Sequence, residues 1–363
     1  MRENVKLGVV GLGRGRNVVT EIIGEKGVTL TAICDNNPKK LESAKKHFAE
    51  KGLSALECYD NFDDLLKSNI DAIFIATDAI YHVPFVIKAL DAGKHVLSEI
   101  PTVNSLDEAI QLKKAVMSHP ELKYMAGENC CYWAFIEAWK KMYEDGKFGE
   151  ITYAESEYIH CRDYREMKPE EFNKNHWRYF NPAIKYLTHN LGPLLYIMND
   201  KVKTVTCMRP DVKYNPYREY IKNDIALFKT EKGAVIKIHI CFDSYVGFDH
   251  NFAMFGTRGT IETDKVKPLE EAHSFARFSD IPGSIDEKVE IPVSLSFPGE
   301  QNGGHGGADR KMVMAFINCI LNDTPSPIDV DMGIRMSLPG IFANESCEKG
   351  GMPVEIPDIS NLI

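Results

Sequence analysis

Positive charge is what this sequence is short of. Its 43 lysines and arginines are outnumbered by 52 aspartates and glutamates, for a formal net charge of −9. That balance offers no general surface to nucleic acid or to an anionic membrane. No apolar run approaches the length of a bilayer span. No basic segment leads into an apolar one, so no signal peptide is visible. The nine cysteines contain no C-x-x-C pair and are odd in number. They fit buried thiols in a reducing, cytoplasmic compartment better than a disulfide framework, and adjacent Cys130 and Cys131 read as core residues in a strand-end loop. His160, His176 and His189 fall at no common zinc spacing, so no metal is expected. Internal repeats and low-complexity tracts are also missing.

What is present is an ordinary globular composition, 44% hydrophobic and 26% charged over 363 residues. That length is enough for two domains. Up to about residue 130, apolar runs alternate with helical patterns. Strands are expected at Leu7–Val10, Thr29–Cys34, Ala72–Ile75, His95–Ser98 and Tyr124–Ala126. Helices are expected at Arg16–Gly24, Pro38–Lys51, Phe62–Lys67, His82–Ala92 and Ser105–Ser118, the last opening on a capping box from Ser105 to Glu108. Such alternation builds a parallel, doubly wound sheet. After Gly149, strands follow strands: Ile151–Ile159, Val202–Met208, Asp224–Lys229, Ala234–Asp243, Asn251–Gly256 and Thr260–Thr263. An antiparallel sheet follows from that order. The polar, aromatic-rich interruption from Cys161 to Leu194 is the natural place for an active-site insertion. Gly303 to Leu321 starts glycine-rich and becomes helical. The tail from Pro325 reads as a return segment ending in a short edge strand near Met352–Ile356. The expected architecture is a Rossmann domain over 1–130 and an α+β domain over 131–363 for substrate binding and oligomer contact. The final helix and tail are free to pack back on the first domain.

The segment Lys6 to Asp35 carries the first chemical signal. A short apolar run enters a glycine turn (Gly11, Leu12, Gly13, Arg14, Gly15), a helical pattern follows, and a second apolar run stops at Asp35. Gly11 permits the tight turn, and Gly13 lets backbone approach a pyrophosphate at the helix N-terminus. Asp35, about 20 residues on, is placed to hold both ribose hydroxyls and to repel a 2′-phosphate, so NAD is the expected cofactor. The third glycine of G-x-G-x-x-G would fall at Arg16; here it is Gly15, one residue earlier.

A connected set of motifs then resembles the Gfo/Idh/MocA oxidoreductase family. It runs through Ala76-Thr77-Asp78-Ala79-Ile80-Tyr81-His82, Ala89-Leu90-Asp91-Ala92-Gly93-Lys94-His95-Val96 and Glu99-Ile100-Pro101. Gly149-Glu150 and Gly304-His305-Gly306-Gly307-Ala308-Asp309 extend it. The resemblance covers Lys6 to about Glu355. It implies a nicotinamide cofactor, with Thr77, His82 and Glu99 near it, a sugar or polyol substrate, and a homo-oligomer, dimer or tetramer. Two positions depart from the family: Ile100 stands where Glu-Lys-Pro has lysine, and Lys185 replaces the aspartate four residues before His189. The first departure is similar to the NAD-dependent glycosidase branch, which carries Glu-Val-Pro there and resembles this chain further at Glu128-Asn129-Cys130-Cys131-Tyr132, Tyr158-Ile159-His160, Arg178-Tyr179-Phe180-Asn181 and Tyr186-Leu187-Thr188-His189-Asn190-Leu191-Gly192-Pro193. That branch implies transient oxidation of a sugar hydroxyl, elimination at C1, addition of water and re-reduction.

The residues bear such chemistry. Abstraction of hydride from an alcohol needs a base for the hydroxyl proton, and elimination needs another for the acidified C–H. Tyr186 and His189, three apart, share one face of a helical turn. They either carry proton transfers or are a core tyrosine and a buried, hydrogen-bonded histidine. Tyr158 and His160 alternate on a strand and point to one face, where they line a sugar pocket or a solvated edge; Tyr158 is a catalytic candidate and His160 a substrate contact. Glu128 and Glu99 end strands that face the ligand crevice of an open sheet, as cofactor or catalytic groups or as strand-end ion pairs. Arg178 and Tyr179, beside Trp177, suit stacking on a sugar or interdomain packing. His305, flanked by glycines, suits a substrate contact or a plain helix-start loop. The reading favoured is a redox-neutral NAD-dependent glycosidase acting on a small sugar or glycoside. A conventional sugar or inositol dehydrogenase and a non-catalytic NAD-binding sensor or repressor are the alternatives.

Overall fold

The structure, a computed structural model, describes residues 3–166, 181–217, 221–245, 247–300 and 303–363. The chain divides into two compact units. One comprises Met1–Asn129, Asn302–Ile334 and Leu362–Ile363; the other comprises Cys130–Gln301 and Arg335–Asn361. No helix among the described residues is long and apolar enough to cross a membrane.

β-Branched and apolar residues fill the strands of the first unit: β1 (Val5–Val10), β2 (Val28–Cys34), β3 (Glu57–Tyr59), β4 (Ala72–Ile75), β5 (His95–Glu99) and β6 (Tyr124–Gly127). β4, Ala72-Ile73-Phe74-Ile75, is buried throughout and has no polar face. A strand without a polar face belongs inside a parallel sheet covered on both sides. The order is β3-β2-β1-β4-β5-β6, every pair parallel. The order reverses between β1 and β4, and that reversal opens the crevice in which such sheets bind ligands.

Local chemistry sets the helix ends. Asn37 caps the helix Pro38–Glu50 by accepting from Lys39 N and Lys40 N. Ser105 Oγ accepts from Glu108 N at 3.1 Å. The return bond of that expected capping box lands one residue early, with Glu108 Oε2 taking Asn104 N at 2.7 Å. The first helix is Arg14–Thr20 rather than Arg16–Gly24, because it begins within the glycine turn and ends in turns. β3 is a mostly exposed edge strand of three residues, too short to show a pattern in the sequence. The late helix Ala308–Asn322 belongs to this unit and lies over the sheet, with Met312 beside Gly127.

Among the described residues, the second unit is built on nine strands. They are β7 (Ile151–Cys161), β8 (Val202–Met208), β9 (Asn223–Thr230), β10 (Val235–Cys241), β11 (Gly247–Gly256), β12 (Gly259–Thr263), β13 (Ser274–Phe278), β14 (Val289–Ile291) and β15 (Val354–Glu355). The order is β14-β13-β12-β11-β7-β10-β9-β8-β15. All neighbours are antiparallel except β7 and β10. β9 alternates cleanly: Asp224, Ala226, Phe228 and Thr230 are buried, while Ile225 and Leu227 are exposed on the opposite face. Trp139, Phe135 and Phe252 pack in the covered layer, and Trp139 Nε1 donates to Ser274 Oγ at 2.9 Å. Each such side chain contributes roughly 2–3 kcal/mol by burial.

One feature of this unit differs from the sequence reading. The tail after Pro325 contains a helix, Val330–Glu348, instead of only a return segment. Gly333, Pro339 and Gly340 hide it. A Cβ on Gly340 would lie 2.8 Å from Ile184 O and 3.1 Å from Lys185 Cα. Glycine there lets the helix backbone approach the single turn Ala183–Tyr186. Asp224 secures the same turn from the sheet side. Its carboxylate is fully buried, takes Ile184 N at 2.8 Å, and pairs with Arg209 Nε at 2.6 Å.

Removing Asp224 would leave a half-buried guanidinium and a backbone N–H without their acceptor. Asp224→Ala should therefore cost about 3–5 kcal/mol. Urea denaturation at neutral pH measures it, and a loss below about 1 kcal/mol would show that the pair does not anchor the turn.

Candidate active site

Three glycines shape the first half of the site, each for a different reason. Gly11 has φ +90°, and a Cβ there would sit 2.3 Å from Ala76 O. A Cβ on Gly15 would lie 2.8 Å from Val9 Cγ2, so the displaced third glycine performs the helix-to-strand packing. Gly13 is different: the nearest atom to a Cβ is Lys40 Nζ at 3.9 Å. The space above it is open, as a backbone that must meet a phosphate requires. Asp35 is buried and closes the turn, accepting from Leu12 N at 2.8 Å and Asn37 N at 2.9 Å. Each oxygen keeps a further acceptor position for a ribose hydroxyl. An open glycine cradle with a fixed carboxylate fits NAD.

His82 is 1% exposed and spans two loops, with Nδ1 2.9 Å from Pro101 O and Nε2 3.1 Å from Thr77 O. It thereby fixes Thr77 at the end of β4 and the Ile100–Pro101 step after β5. Ile100 is itself buried.

Arg14 stands in the glycine turn and links three chain segments. Its Nε donates to Glu99 Oε1 at 3.2 Å, and its two Nη atoms grip Asp309 at 2.7 and 2.5 Å. His305 Nδ1 and Asn129 Nδ2 donate to the same carboxylate at 3.0 and 2.9 Å. Burial opposes the charge of Asp309, but hydrogen bonds from His305 and Arg14 outweigh it and hold the pKa at about 2. Burial likewise opposes the charge of Arg14, and Asp309 and Glu99 still raise its pKa above the ordinary value.

In the second unit the sheet and the turn bring a ring cluster together. Tyr158 on β7 lies opposite His250 on β11 and stacks on it at 4.7 Å. Tyr186 closes the turn that Asp224 anchors, and its hydroxyl is 3.3 Å from Nε2 of His189. Nδ1 of His189 is 3.3 Å from Cys130 Sγ. Tyr158 and Tyr186 face each other at 6.3 Å, and the Tyr158 hydroxyl is 3.3 Å from His160 Nδ1. Phe242 packs on both tyrosines.

Gly11, Leu12, Gly13, Arg14, Gly15, Asp35, Thr77, His82 and Glu99 thus lie along one edge of the first sheet. Tyr158, His160, Tyr186 and His189 meet in the second unit. Glu128 is fully buried at the end of β6. His305 joins Arg14 and Asp309. Arg178 and Tyr179 lie outside the described residues, as do His176 and Trp177. Three contributors escaped the sequence reading. Asp309 lay inside a motif whose histidine drew attention. Cys130 was read as core. His250 shares strand parity with buried Phe252 and Met254, a signal that was available.

His250 is 6% exposed and bonds to His189 O at 3.1 Å. Burial, then the neighbouring His189, lowers its pKa from 6.5 to about 3. The unfolded chain takes up a proton below pH 6.5 that the folded chain refuses until about pH 3. The neutral ring's contribution is therefore complete above that window and is lost as pH falls through it, at up to about 1.4 kcal/mol per pH unit. His250→Phe should flatten the acid limb of urea stability between about pH 4 and 6; identical limbs in both proteins would rule out this source.

Comparison with known proteins agrees with this geometry. Residues 5–127 match the Gfo/Idh/MocA model described as an oxidoreductase family with an NAD-binding Rossmann fold. Residues 136–262 match the Gfo/Idh/MocA C-terminal domain, and 204–361 match the C-terminal domain of glycosyl hydrolase 109. Glycosyl hydrolase family 109 protein 1 of Phocaeicola vulgatus is 28% identical, covering 99% of this chain and 84% of that protein. A family 109 protein of Solibacter usitatus is also 28% identical, covering 98% and 88%. The fold is shared with scyllo-inositol dehydrogenase from Lactobacillus casei bound to NAD(H) and scyllo-inositol, at a TM-score of 0.78, 22% identity and coverage of 98% and 99%. The first unit is an NAD-binding Rossmann domain, and the chain belongs to the Gfo/Idh/MocA oxidoreductase family.

Proposed function

We propose that this protein is a redox-neutral glycosidase. A ring hydroxyl is oxidised, the C1 substituent leaves by elimination, water adds, and the ketone is reduced again. NAD, held by the glycine turn and Asp35, would supply the hydride acceptor for this cycle. The observation that carries the reading is the pair of hydroxyl–imidazole contacts, Tyr186 with His189 and Tyr158 with His160, each at 3.3 Å. Plain oxidation of an alcohol needs one proton acceptor. Oxidation followed by elimination needs a second, for the C2 proton.

We assign Tyr186 and His189 to the hydroxyl proton. Tyr186 Oη takes it while passing its own proton to His189 Nε2, and Cys130 at Nδ1 holds the ring in place. Tyr158, backed by His160, takes the C2 proton and later returns it. Glu128 is assigned to orient the substrate beside the nicotinamide. Ile100 supports the reading from the other side, because a buried isoleucine cannot polarise a hydroxyl as lysine would. Residues 204–361 add support through their match to glycosyl hydrolase 109.

A panel of nitrophenyl α- and β-glycosides with sub-stoichiometric NAD tests the cycle. The expected result is phenolate in large excess over NAD, with no lasting NADH. NADH accumulating from free sugars, without phenolate, would instead make this a dehydrogenase.

Tyr186→Phe and His189→Ala should each lower kcat on an accepted glycoside by about 10²–10⁴. NAD affinity, read by calorimetry, should stay within about twofold, since neither side chain is assigned to the cofactor. Wild-type turnover in either variant would end the assignment.

A further inference from the structure

We propose that Arg14 and Asp309 are positioning residues for the cofactor: together they aim the Glu99 carboxylate at the nicotinamide ribose, and Asp309 does so without binding NAD itself. The proposal rests on Glu99 standing at that ribose. Its warrant is a count of acceptor positions. A carboxylate offers about two per oxygen. Oδ1 of Asp309 takes Arg14 Nη2 and Asn129 Nδ2; Oδ2 takes Arg14 Nη1 and His305 Nδ1. All four positions are spent, and the carboxylate is 1% exposed. Gly304 lets the loop close over it, since a Cβ there would lie 2.8 Å from Oδ2. Asp309 therefore has nothing left to offer a ligand.

Glu99 is the opposite case. Among the described residues, its Oε1 takes Arg14 Nε at 3.2 Å alone, and its Oε2 takes Ile100 N at 3.3 Å. One position on each oxygen remains, the number that two vicinal ribose hydroxyls require. Arg14 connects the two carboxylates. A guanidinium is a planar fork, so a two-point grip by Asp309 fixes its plane and hence the direction of Nε–H. Lysine, a point charge on a flexible stem, would neutralise Glu99 without aiming it. The grip comes from 295 residues along the chain, through the first turn of the helix Ala308–Asn322.

Equilibrium binding of NAD, ADP-ribose and ADP to Asp309→Asn, Arg14→Lys and Glu99→Gln decides the matter. ADP lacks the second ribose and serves as the control for the glycine turn and for folding. Each variant should bind NAD and ADP-ribose about tenfold more weakly, the loss expected for one charge-assisted hydrogen bond, and ADP within about twofold. If Asp309→Asn does not fold, Arg14→Lys carries the same test. Equal weakening of ADP would overturn the proposal, because the pair would then be shaping the turn. NAD affinity unchanged in Asp309→Asn and Arg14→Lys, but reduced in Glu99→Gln, would overturn it while leaving Glu99 at the ribose. Unchanged affinity in Glu99→Gln would remove both.

Discussion

A carboxylate withdrawn from water must be supplied with donors, and in this protein those donors come from far along the chain. Asp35 draws the glycine turn onto the end of β2 through Leu12 N. Asp309 collects Arg14, Asn129 and His305. Asp224 holds the turn that carries Tyr186 through Ile184 N, and is itself held by Arg209. In each case one buried acidic group fixes a loop bearing a candidate site residue to a rigid element. The positions of the candidate cofactor and proton-transfer groups follow from where these acids are buried, more than from the loops that bear them.

How much of this was legible depended on range. The strand–turn–helix at Leu7 to Thr20, the terminal acid Asp35 and the all-apolar β4 are local patterns, and local patterns survive in sequence. The strict alternation of β9 could likewise be read directly. Contacts between distant segments could not. Nothing near Asp309 announces that both its oxygens are gripped by Arg14, and nothing near Cys130 announces an imidazole 59 residues further along the chain. The helix Val330–Glu348 was missed for a related reason. Its glycines look like breakers, yet a Cβ on Gly333 would meet Ala126 Cβ at 2.8 Å, and one on Gly340 would meet Ile184 O at the same distance. They are there for neighbours that the linear sequence does not display.

The relation to inositol dehydrogenases of the same fold becomes clearer in these terms. A Rossmann sheet with an open glycine cradle supplies hydride chemistry and no more. The proposed reaction differs from plain oxidation in the number of proton acceptors it needs. Here two tyrosines face each other, each joined to its own histidine, with a thiol behind one imidazole and a buried neutral histidine under the opposite phenol ring. The fold is common to many oxidoreductases, so it does not by itself fix the reaction.

The single parallel pairing of β7 with β10 has an evolutionary consequence. Parallel neighbours cannot be joined by a tight hairpin, so the chain must leave the sheet after Cys161 and re-enter at a remote strand. It returns at Val202 on β8 and walks back to β10 by antiparallel steps. Tyr186 and His189 ride on that excursion. Lengthening such a connection costs only about 0.6 kcal/mol per doubling, and it disturbs no register within the sheet. Insertions there leave the strand pairings in place, so this stretch can vary between relatives while the sheet that carries Tyr158 stays the same.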